Sequence, residues 1–115
     1  MKIRALAYLE EILQAIGDTA LFLKGIGSYA EYAENLIARR AVERELEIVG
    51  EAMNQLLLEY PDIAIPESRQ IIGMRNRIIH GYARIDNALV YKTAIENVPL
   101  LKAHVIALME KFETS

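Results

Sequence analysis

Two residues five positions apart, Arg75 and His80, are the side chains of this sequence best suited to chemistry on a phosphate. A histidine titrates near neutral pH, so it can take a proton from a hydroxyl or give one to a leaving oxygen. An arginine binds a phosphate and stabilises the extra charge of its transition state. The pair therefore favours cleavage of a phosphodiester, and RNA supplies its own nucleophile for that reaction, the 2′-hydroxyl.

Charge is segregated along the chain around these two residues. Residues 68–85 contain four arginines and His80 but no acid, whereas Glu43, Glu45, Glu47 and Glu51 crowd another segment. The net charge is −3, and general coating of nucleic acid needs a cationic surface. We therefore expect an anionic ligand at the basic segment alone. Two nearby arginines, Arg77 and Arg84, would add positive electrostatic potential that attracts an RNA backbone, or would only form a solvated basic face. The second role is the commoner one.

The residues around the pair divide into two faces of one helix. At about 100° per residue, one arc of that helix is apolar and the other side is polar or small. The apolar arc contains Ile71, Ile72, Met74, Ile78 and Ile79. The opposite face contains Gly73, Asn76, Arg77 and His80. We predict that this second face forms one wall of a groove or a close helix contact, because a helix-interior glycine admits a near neighbour.

Arg75 itself falls inside the apolar arc, where a guanidinium is costly unless it is paired or reaches solvent. We expect an ion pair with Glu47 or Glu51, and the sequence does not decide between them. Arg75 and His80 would point about 140° apart on an ideal helix. Either the helix unwinds at Gly81, or a second subunit completes the site. His80 alone could also serve only the helix dipole at a C-terminus.

The elements that must position these residues are helical almost throughout. Apolar residues recur at steps of three and four, and no strand-like alternation of useful length is present. The first helix is predicted to bury Leu6, Leu9, Leu13, Ile16, Ala20 and Leu23, and the second Val42, Leu46, Val49, Met53 and Leu56. The last helix is predicted to bury Leu101, Val105, Leu108 and Phe112.

Turn and cap residues mark where these helices begin and end. Glycines at 25 and 27 end the first helix, Pro61 ends the second, and Pro66 suits the first turn of a third over residues 67–80. Gly81 is placed as its C-cap and Asp86 as the N-cap of a fourth helix. Pro99 begins or kinks the last helix. The chain is thus predicted to be one all-α domain over residues 1–115, an antiparallel four- to five-helix bundle whose faces also suit pairing of subunits.

Composition excludes several classes of function. The chain has 115 residues and no cysteine, which rules out a thiolate zinc site and a cysteine nucleophile. There are two histidines and no Gly-rich phosphate loop, so we expect no metal and no cofactor, and we interpret His104 as structural or surface. No apolar run approaches the roughly 20 residues that span a bilayer. The first residues carry acids where a signal peptide has an apolar core. We expect a cytoplasmic protein with no membrane contact.

Residues 74–82, MRNRIIHGY, resemble the signature of the HEPN superfamily, an arginine followed after four to six residues by a histidine. Tyr82 makes the longer Arg-x4-His-x-Tyr form of HepT-like proteins. Residues 40–52 resemble the second-helix block of that family. Pro66 and residues 72–76 resemble the beginning of its third helix, and Asp86 fits the start of the helix that follows. The resemblance covers essentially the whole chain. It departs at Glu67 and at residues 83–84, where the family often has aromatic residues.

This resemblance implies a small helical bundle that forms a homodimer and acts as a metal-independent endoribonuclease toxin. Such toxins are paired with a minimal nucleotidyltransferase antitoxin in type VII-like systems. Arg75 and His80 would be the catalytic pair. In the family, the Arg-x4-His motifs of the two subunits meet across the dimer interface. Asn76 would be the supporting polar residue, with Arg77 beside it on the phosphate. Tyr82 would be the tyrosine that the antitoxin modifies with AMP, which would add bulk and negative charge beside the site.

Two other classes of function remain open at this stage. The chain could be a non-catalytic partner of a nucleotidyltransferase that binds a nucleotide or another substrate, with Arg75 and His80 as ligand contacts. It could also be a small dimeric adaptor whose motif is vestigial. The intact set of Arg75, Asn76, His80 and Tyr82 argues mildly against the adaptor.

Overall fold

The computed structural model describes residues 3–81 and 84–114, and it is helical almost throughout that range. The helices are α1 (Ile3–Leu23), α2 (Tyr29–Glu34), α3 (Leu36–Glu59), α4 (Ser68–His80), α5 (Asn87–Lys92) and α6 (Val98–Thr114). A π-helical turn, Thr93–Asn97, joins α5 to α6 in one continuous rod. The described residues contain no strand, and counting that rod once gives five helices there. The predicted all-α bundle is confirmed.

Neighbouring helices run antiparallel, as side-chain pairs between their ends demonstrate. The Arg4 guanidinium at the start of α1 bonds to the Glu59 carboxylate at the end of α3, with Nε and Oε1 2.5 Å apart. At the start of α4, Gln70 accepts a hydrogen bond of 2.9 Å from Asn97 at the junction with α6. Helix α6 packs back on α1, which closes the bundle. None of the helices in the described ranges is long and apolar enough to cross a membrane.

The core is centred on α3. Its predicted apolar stripe is buried in full: Val42, Leu46, Val49, Met53 and Leu56 are each at most 1% exposed. On α6, Leu101 and Val105 are buried, and Leu108 and Phe112 pack partly against them. The stripe of α3 was predicted in full and that of α6 in its first half, because a helix with one main contact face buries residues at steps of three and four.

The predicted face of α1 is partly wrong. The buried residues of this helix are Ala5, Leu9, Ile12, Ala15, Ile16 and Thr19. Ala20 is exposed, whereas Leu6, Leu13 and Leu23 are only partly buried. Helix α1 packs against both α3 and α6. Its buried face therefore lies between these two neighbours and differs from the face that a single partner would bury.

Most predicted boundaries are confirmed. Helix α1 ends at Leu23, and Gly25 follows in the left-handed region with φ +86°, where glycine is strongly favoured. Helix α3 ends at Glu59 before Pro61, and the Asp86 carboxylate accepts from the Leu89 N–H, 3.1 Å away, as the N-cap of α5. The short helix α2 was not predicted, although its N-cap, Ser28, accepts from the Glu31 N–H at 3.2 Å.

Pro99 lies in the first turn of α6, so of the two predicted alternatives it begins the last helix, directly after the π-helical turn. The Val98 N–H donates to the Thr93 carbonyl oxygen five residues back, which is the wider hydrogen bonding of a π-helical turn. A proline ring clashes with the carbonyl four residues before it and has no N–H to donate. The wider turn directly before Pro99 is therefore where this rod accommodates the proline.

His104 has a structural contact, in keeping with its interpretation from sequence. Its Nδ1 lies 2.7 Å from a carboxylate oxygen of Glu67, whose side chain is only 9% exposed. Glu67 directly precedes α4, and His104 lies on α6. The contact links the start of α4 to α6.

Candidate functional site

Helix α4 carries both candidate catalytic residues and remains regular to its end. Ile71, Met74 and Ile78 are buried and anchor it on the core. The Gly81 N–H donates to the Arg77 carbonyl oxygen at 2.9 Å, so the α-helical geometry continues through His80. A Cβ at Gly81 would lie 2.9 Å from that same oxygen, while its φ of −128° is not left-handed. Unwinding of α4 therefore does not bring Arg75 and His80 together within one chain.

Arg75 is held by two hydrogen bonds, one to a residue of α3 and one to its neighbour in α4. Its Nη2 lies 2.6 Å from Oε2 of Glu51, and its Nη1 donates to Oδ1 of Asn76 at 2.9 Å. Glu47, the other candidate partner, pairs with Arg44 at 3.1 Å. The ion pair predicted for Arg75 is therefore present, and Glu51 is its acid. Charge-assisted hydrogen bonds of this kind fix the direction of a guanidinium.

Gly50 allows α4 to approach α3 closely at Arg75. A Cβ built on Gly50 would lie 2.3 Å from the Arg75 Cβ and 3.2 Å from the Ile71 carbonyl oxygen. Any side chain at this position would push α4 away. Sequence reasoning missed Gly50. The signal that could have found it is the cost of a glycine inside a helix, roughly 1 kcal/mol relative to alanine, which implies a compensating contact.

Gly73, which the sequence singled out for the same reason, has a different setting. A Cβ built on it would meet no heavy atom within 4 Å, so it makes no close helix contact. It faces a gap between α4 and α5 that Arg77, Leu89 and Thr93 also line. The face of α4 that carries Gly73 was predicted to form either the wall of a groove or a close helix contact. The structure shows the groove wall.

The gap widens into a groove beside His80, which we call the α4–α5 groove. Its volume is about 430 Å³. The rim contains polar and charged side chains: Asn76, Arg77, His80, Arg84 and Asp86. The floor is apolar: Met74, Ile78, Ile85, Leu89 and Val90. The predicted polar face of α4 thus joins residues of α5, which sequence reasoning had not connected with the site.

The charge of the groove is positive within the part of the chain that is described. No carboxylate there lies within ion-pair distance of Arg77, Arg84 or His80. The acid in the rim, Asp86, uses one carboxylate oxygen to cap α5. Unpaired cations beside an apolar floor favour an anion that also carries an apolar or aromatic part.

Arg75 opens on a different concavity, on the α3 side of α4. That cleft has a volume of about 380 Å³ and is lined by Arg75 together with Glu11, Arg44, Glu47, Ile48, Glu51 and Ile79. The single chain thus brings Asn76, Arg77, His80 and Arg84 together but leaves Arg75 on the other side of α4. Asn76 links the two sides, because it lines the α4–α5 groove and accepts a hydrogen bond from Arg75.

Two further expectations concern the modification of Tyr82 and the binding of a metal ion. Tyr82, the predicted modification site, lies outside the described residues, between the groove residues Gly81 and Arg84. Over residues 3–81 and 84–114, no group of three or more histidine, aspartate or glutamate side chains is placed to hold a metal ion.

The helical bundle, with its Arg-x4-His motif on the helix beside a basic groove, defines a HEPN-type protein. The family model “Ribonuclease HepT-like” matches residues 12–108, which include α3, α4 and α5 entire. The chain belongs to this HepT-like ribonuclease family of the HEPN superfamily. The identification made from residues 74–82 is confirmed.

Similar proteins carry ribonuclease names. The chain is 38% identical over 103 residues to “Putative RNase MJ1380” of Methanocaldococcus jannaschii, covering 86% of this chain and 91% of that protein. It is 32% identical over 106 residues to “Putative RNase TTE0752” of Caldanaerobacter subterraneus, covering 90% and 93%. It is 33% identical over 97 residues to “Probable ribonuclease HepT” of Thermococcus cleftensis, covering 83% and 86%. No solved structure matches the chain.

Proposed function

We propose that this protein is a metal-independent endoribonuclease of the cytoplasm that cuts RNA through the 2′-hydroxyl of its substrate. The observation that carries the proposal is the α4–α5 groove, where His80 lies among Asn76, Arg77 and Arg84 with no carboxylate paired to the cations in the described residues. Membership of the HepT-like ribonuclease family and the names of its relatives support the same activity.

His80 would act as the general acid or base of the reaction. The 2′-hydroxyl loses its proton, its oxygen bonds to phosphorus, and the bond from phosphorus to the 5′-oxygen breaks as that oxygen takes up a proton. The products would be a 2′,3′-cyclic phosphate, or its hydrolysis product, and a 5′-hydroxyl. Arg75 would hold the phosphate and stabilise the charge of the transition state, with Arg77 and Asn76 in support.

This mechanism requires Arg75 and His80 to reach one phosphate, and a homodimer would allow it. In one protomer the two side chains open on opposite sides of α4, in concavities that share no lining residue among those described. A phosphate bound to Arg75 of a lone protomer would also lie among Glu11, Glu47 and Glu51. A second copy of α4 could set the His80 of one protomer opposite the Arg75 of the other.

The direct test is cleavage of single-stranded RNA by the purified protein in excess chelator. Wild type and His104→Ala should cut, because His104 contacts Glu67 and does not line the α4–α5 groove. His80→Ala should lose about 10²- to 10⁴-fold in rate, the usual contribution of a general acid or base. Products should end in cyclic phosphate. Cleavage by His80→Ala at the wild-type rate would remove His80 from the mechanism.

We further propose that the protein is the toxin of a type VII-like pair whose antitoxin is a minimal nucleotidyltransferase. Tyr82 follows His80 by two residues, so AMP on its hydroxyl would bring bulk and negative charge to the basic segment. Incubation with such an enzyme and ATP should add the mass of one AMP to the Tyr82 peptide and stop RNA cleavage. Tyr82→Phe should remain active after the same treatment. Inhibition without added mass would contradict this part of the proposal.

A second candidate function is a partner of a nucleotidyltransferase that binds a nucleotide and cuts nothing. The ion pair between Arg75 and Glu51 favours it, because in one protomer that arginine is already neutralised. Expression of the chain alone separates the two. Toxicity that disappears with His80→Ala indicates the nuclease, whereas a harmless chain that binds nucleotides indicates the partner.

A further inference from the structure

The α4–α5 groove contains more apolar surface than a phosphate contact needs. Its floor combines Met74 and Ile78 of α4 with Ile85, Leu89 and Val90 of the following segment and α5. An RNA backbone is polar and charged, and arginines on an open surface would be enough to bind it. A concavity of about 430 Å³ with an apolar floor instead has the size and lining of a small-molecule pocket.

The groups on the rim suit the remaining parts of a nucleotide. Arg77 and Arg84 provide cationic planes that bind a phosphate or stack on a base. Asn76 and Asp86 provide hydrogen-bonding groups at the edge of the floor. Proteins that read single-stranded RNA take one base out of the strand, place it on apolar or guanidinium surfaces, and hydrogen-bond its edge. The α4–α5 groove offers these surfaces next to His80.

We propose that the α4–α5 groove is a nucleobase subsite that seats one base of a single-stranded RNA beside the phosphate to be cut. The inference rests on the proposed function for its substrate, but the binding step stands without cleavage. The base would lie over Leu89 and Met74, with its phosphate towards Arg77, Arg84 and His80. The enzyme would then prefer certain bases at the cut, because the floor accepts a flat apolar group and the rim hydrogen-bonds its edge.

Nucleotide binding tests the subsite apart from catalysis. The probes are the four nucleoside 3′-monophosphates and inorganic phosphate, titrated into the wild-type protein. Leu89→Trp and Ile85→Trp each place a large side chain on the floor of the groove, one from α5 and one from the segment before it. Each should raise the Kd of the best nucleotide about tenfold, because one good contact is lost. The Kd of inorganic phosphate should stay unchanged. The control is Ala88→Trp, on an exposed residue of α5 that does not line the groove, and it should change neither Kd.

A second measurement needs no substitution on the floor. The chain has four methionines, and Met74 alone of them lines the groove among the described residues. With methyl-labelled methionine, a nucleotide should shift the Met74 signal strongly, inorganic phosphate should shift it little, and the signals of Met53 and Met109 should stay in place. Met74→Leu identifies the signal.

The outcomes separate this inference from the proposed function. The subsite is overturned if nucleotides bind no more tightly than phosphate, or if they bind without moving the Met74 signal. It is also overturned if the two tryptophan variants fold and cut every RNA with the base preference of wild type. Cleavage of RNA in that case would leave the proposed function intact. A chain that binds nucleotides in this groove but cuts no RNA would support the subsite and contradict the nuclease.

Discussion

Arg75 is the residue whose surroundings say most about how the site would work. Its guanidinium is fixed on two sides, by Glu51 from α3 and by Asn76 from its own helix. Its side chain is 26% exposed, so a phosphate can still reach it. An arginine already held in place loses less conformational entropy when it binds. We therefore propose Glu51 as a positioning residue for Arg75.

Substitution of Glu51 tests that role. Glu51→Ala removes the hydrogen bond of 2.6 Å to Arg75 and should lower kcat about tenfold, since misplacing a catalytic group by about 1 Å costs up to about 100-fold. Glu47→Ala is the matched control, on the same helix and in the same cleft but paired with Arg44. Steady-state cleavage of one RNA measures both. Equal rates for the two variants would remove Glu51 from the site.

Glu45 makes stability depend on pH in the opposite way to most carboxylates. Burial, and then the negative charge of Asp18, raises the pKa of Glu45 above its ordinary value, and one of its oxygens is buried without a partner in the described structure. The unfolded chain loses this proton at lower pH than the folded chain does. The contribution of Glu45 to stability is therefore complete below pH about 4.5 and falls as pH rises through the higher pKa of the folded state.

Glu45→Gln should accordingly stabilise the protein at neutral pH. The gain should shrink as pH falls and vanish where Glu45 is protonated in both states. Denaturant unfolding of both proteins at pH 4 and pH 7 measures the difference. Glu10→Gln, on an exposed residue of α1, is the control and should change little at either pH. A gain of the same size at both pH values would show that ionisation of Glu45 is not its cause.

At the scale of elements, the contact between α3 and α4 sets the position of Arg75. Gly50→Ala would place a Cβ 2.3 Å from the Arg75 Cβ, so α4 must shift. We expect a loss of stability of about 1–3 kcal/mol, as for an overpacked core, together with weaker RNA cleavage. Thermal unfolding and cleavage rates at a temperature where both proteins are folded measure the two effects.

Gly17 provides the control for that substitution. It lies inside α1 and a Cβ there meets no atom within 4 Å, so Gly17→Ala should stabilise the protein by about 0.4–1 kcal/mol and leave cleavage unchanged. If Gly50→Ala behaves like Gly17→Ala, the close approach at Arg75 is not needed for activity.

The elements also show what sequence reasoning could reach. The end of α3, the bounds of α4 to within one residue and the cap at Asp86 were predictable because proline, glycine and cap residues act locally. The start of α3 was not predicted. The opposed directions of Arg75 and His80 followed from the helical repeat alone. The buried face of α1, the approach at Gly50 and the floor supplied by Leu89 depend on which helices become neighbours, and no local pattern contains that information.

At the scale of the whole molecule, the two sides of α4 carry opposite charge. The α4–α5 groove has Arg77 and Arg84 against Asp86, whereas the cleft at Arg75 has three glutamates, Glu11, Glu47 and Glu51, against Arg44 and Arg75. RNA would approach the first side and be repelled by the second. We therefore propose that Arg75 and His80 would form one ribonuclease site only when two copies of the chain contribute to it.

Mixed dimers test this claim most directly. Arg75→Ala and His80→Ala chains, expressed together with different affinity tags and purified through both, would each be inactive as homodimers. In the mixed dimer one site keeps an intact Arg75 and an intact His80 from different chains, so RNA cleavage should return to about half the wild-type rate. A mixed dimer that forms and folds but cuts no RNA, while wild type does, would contradict the claim.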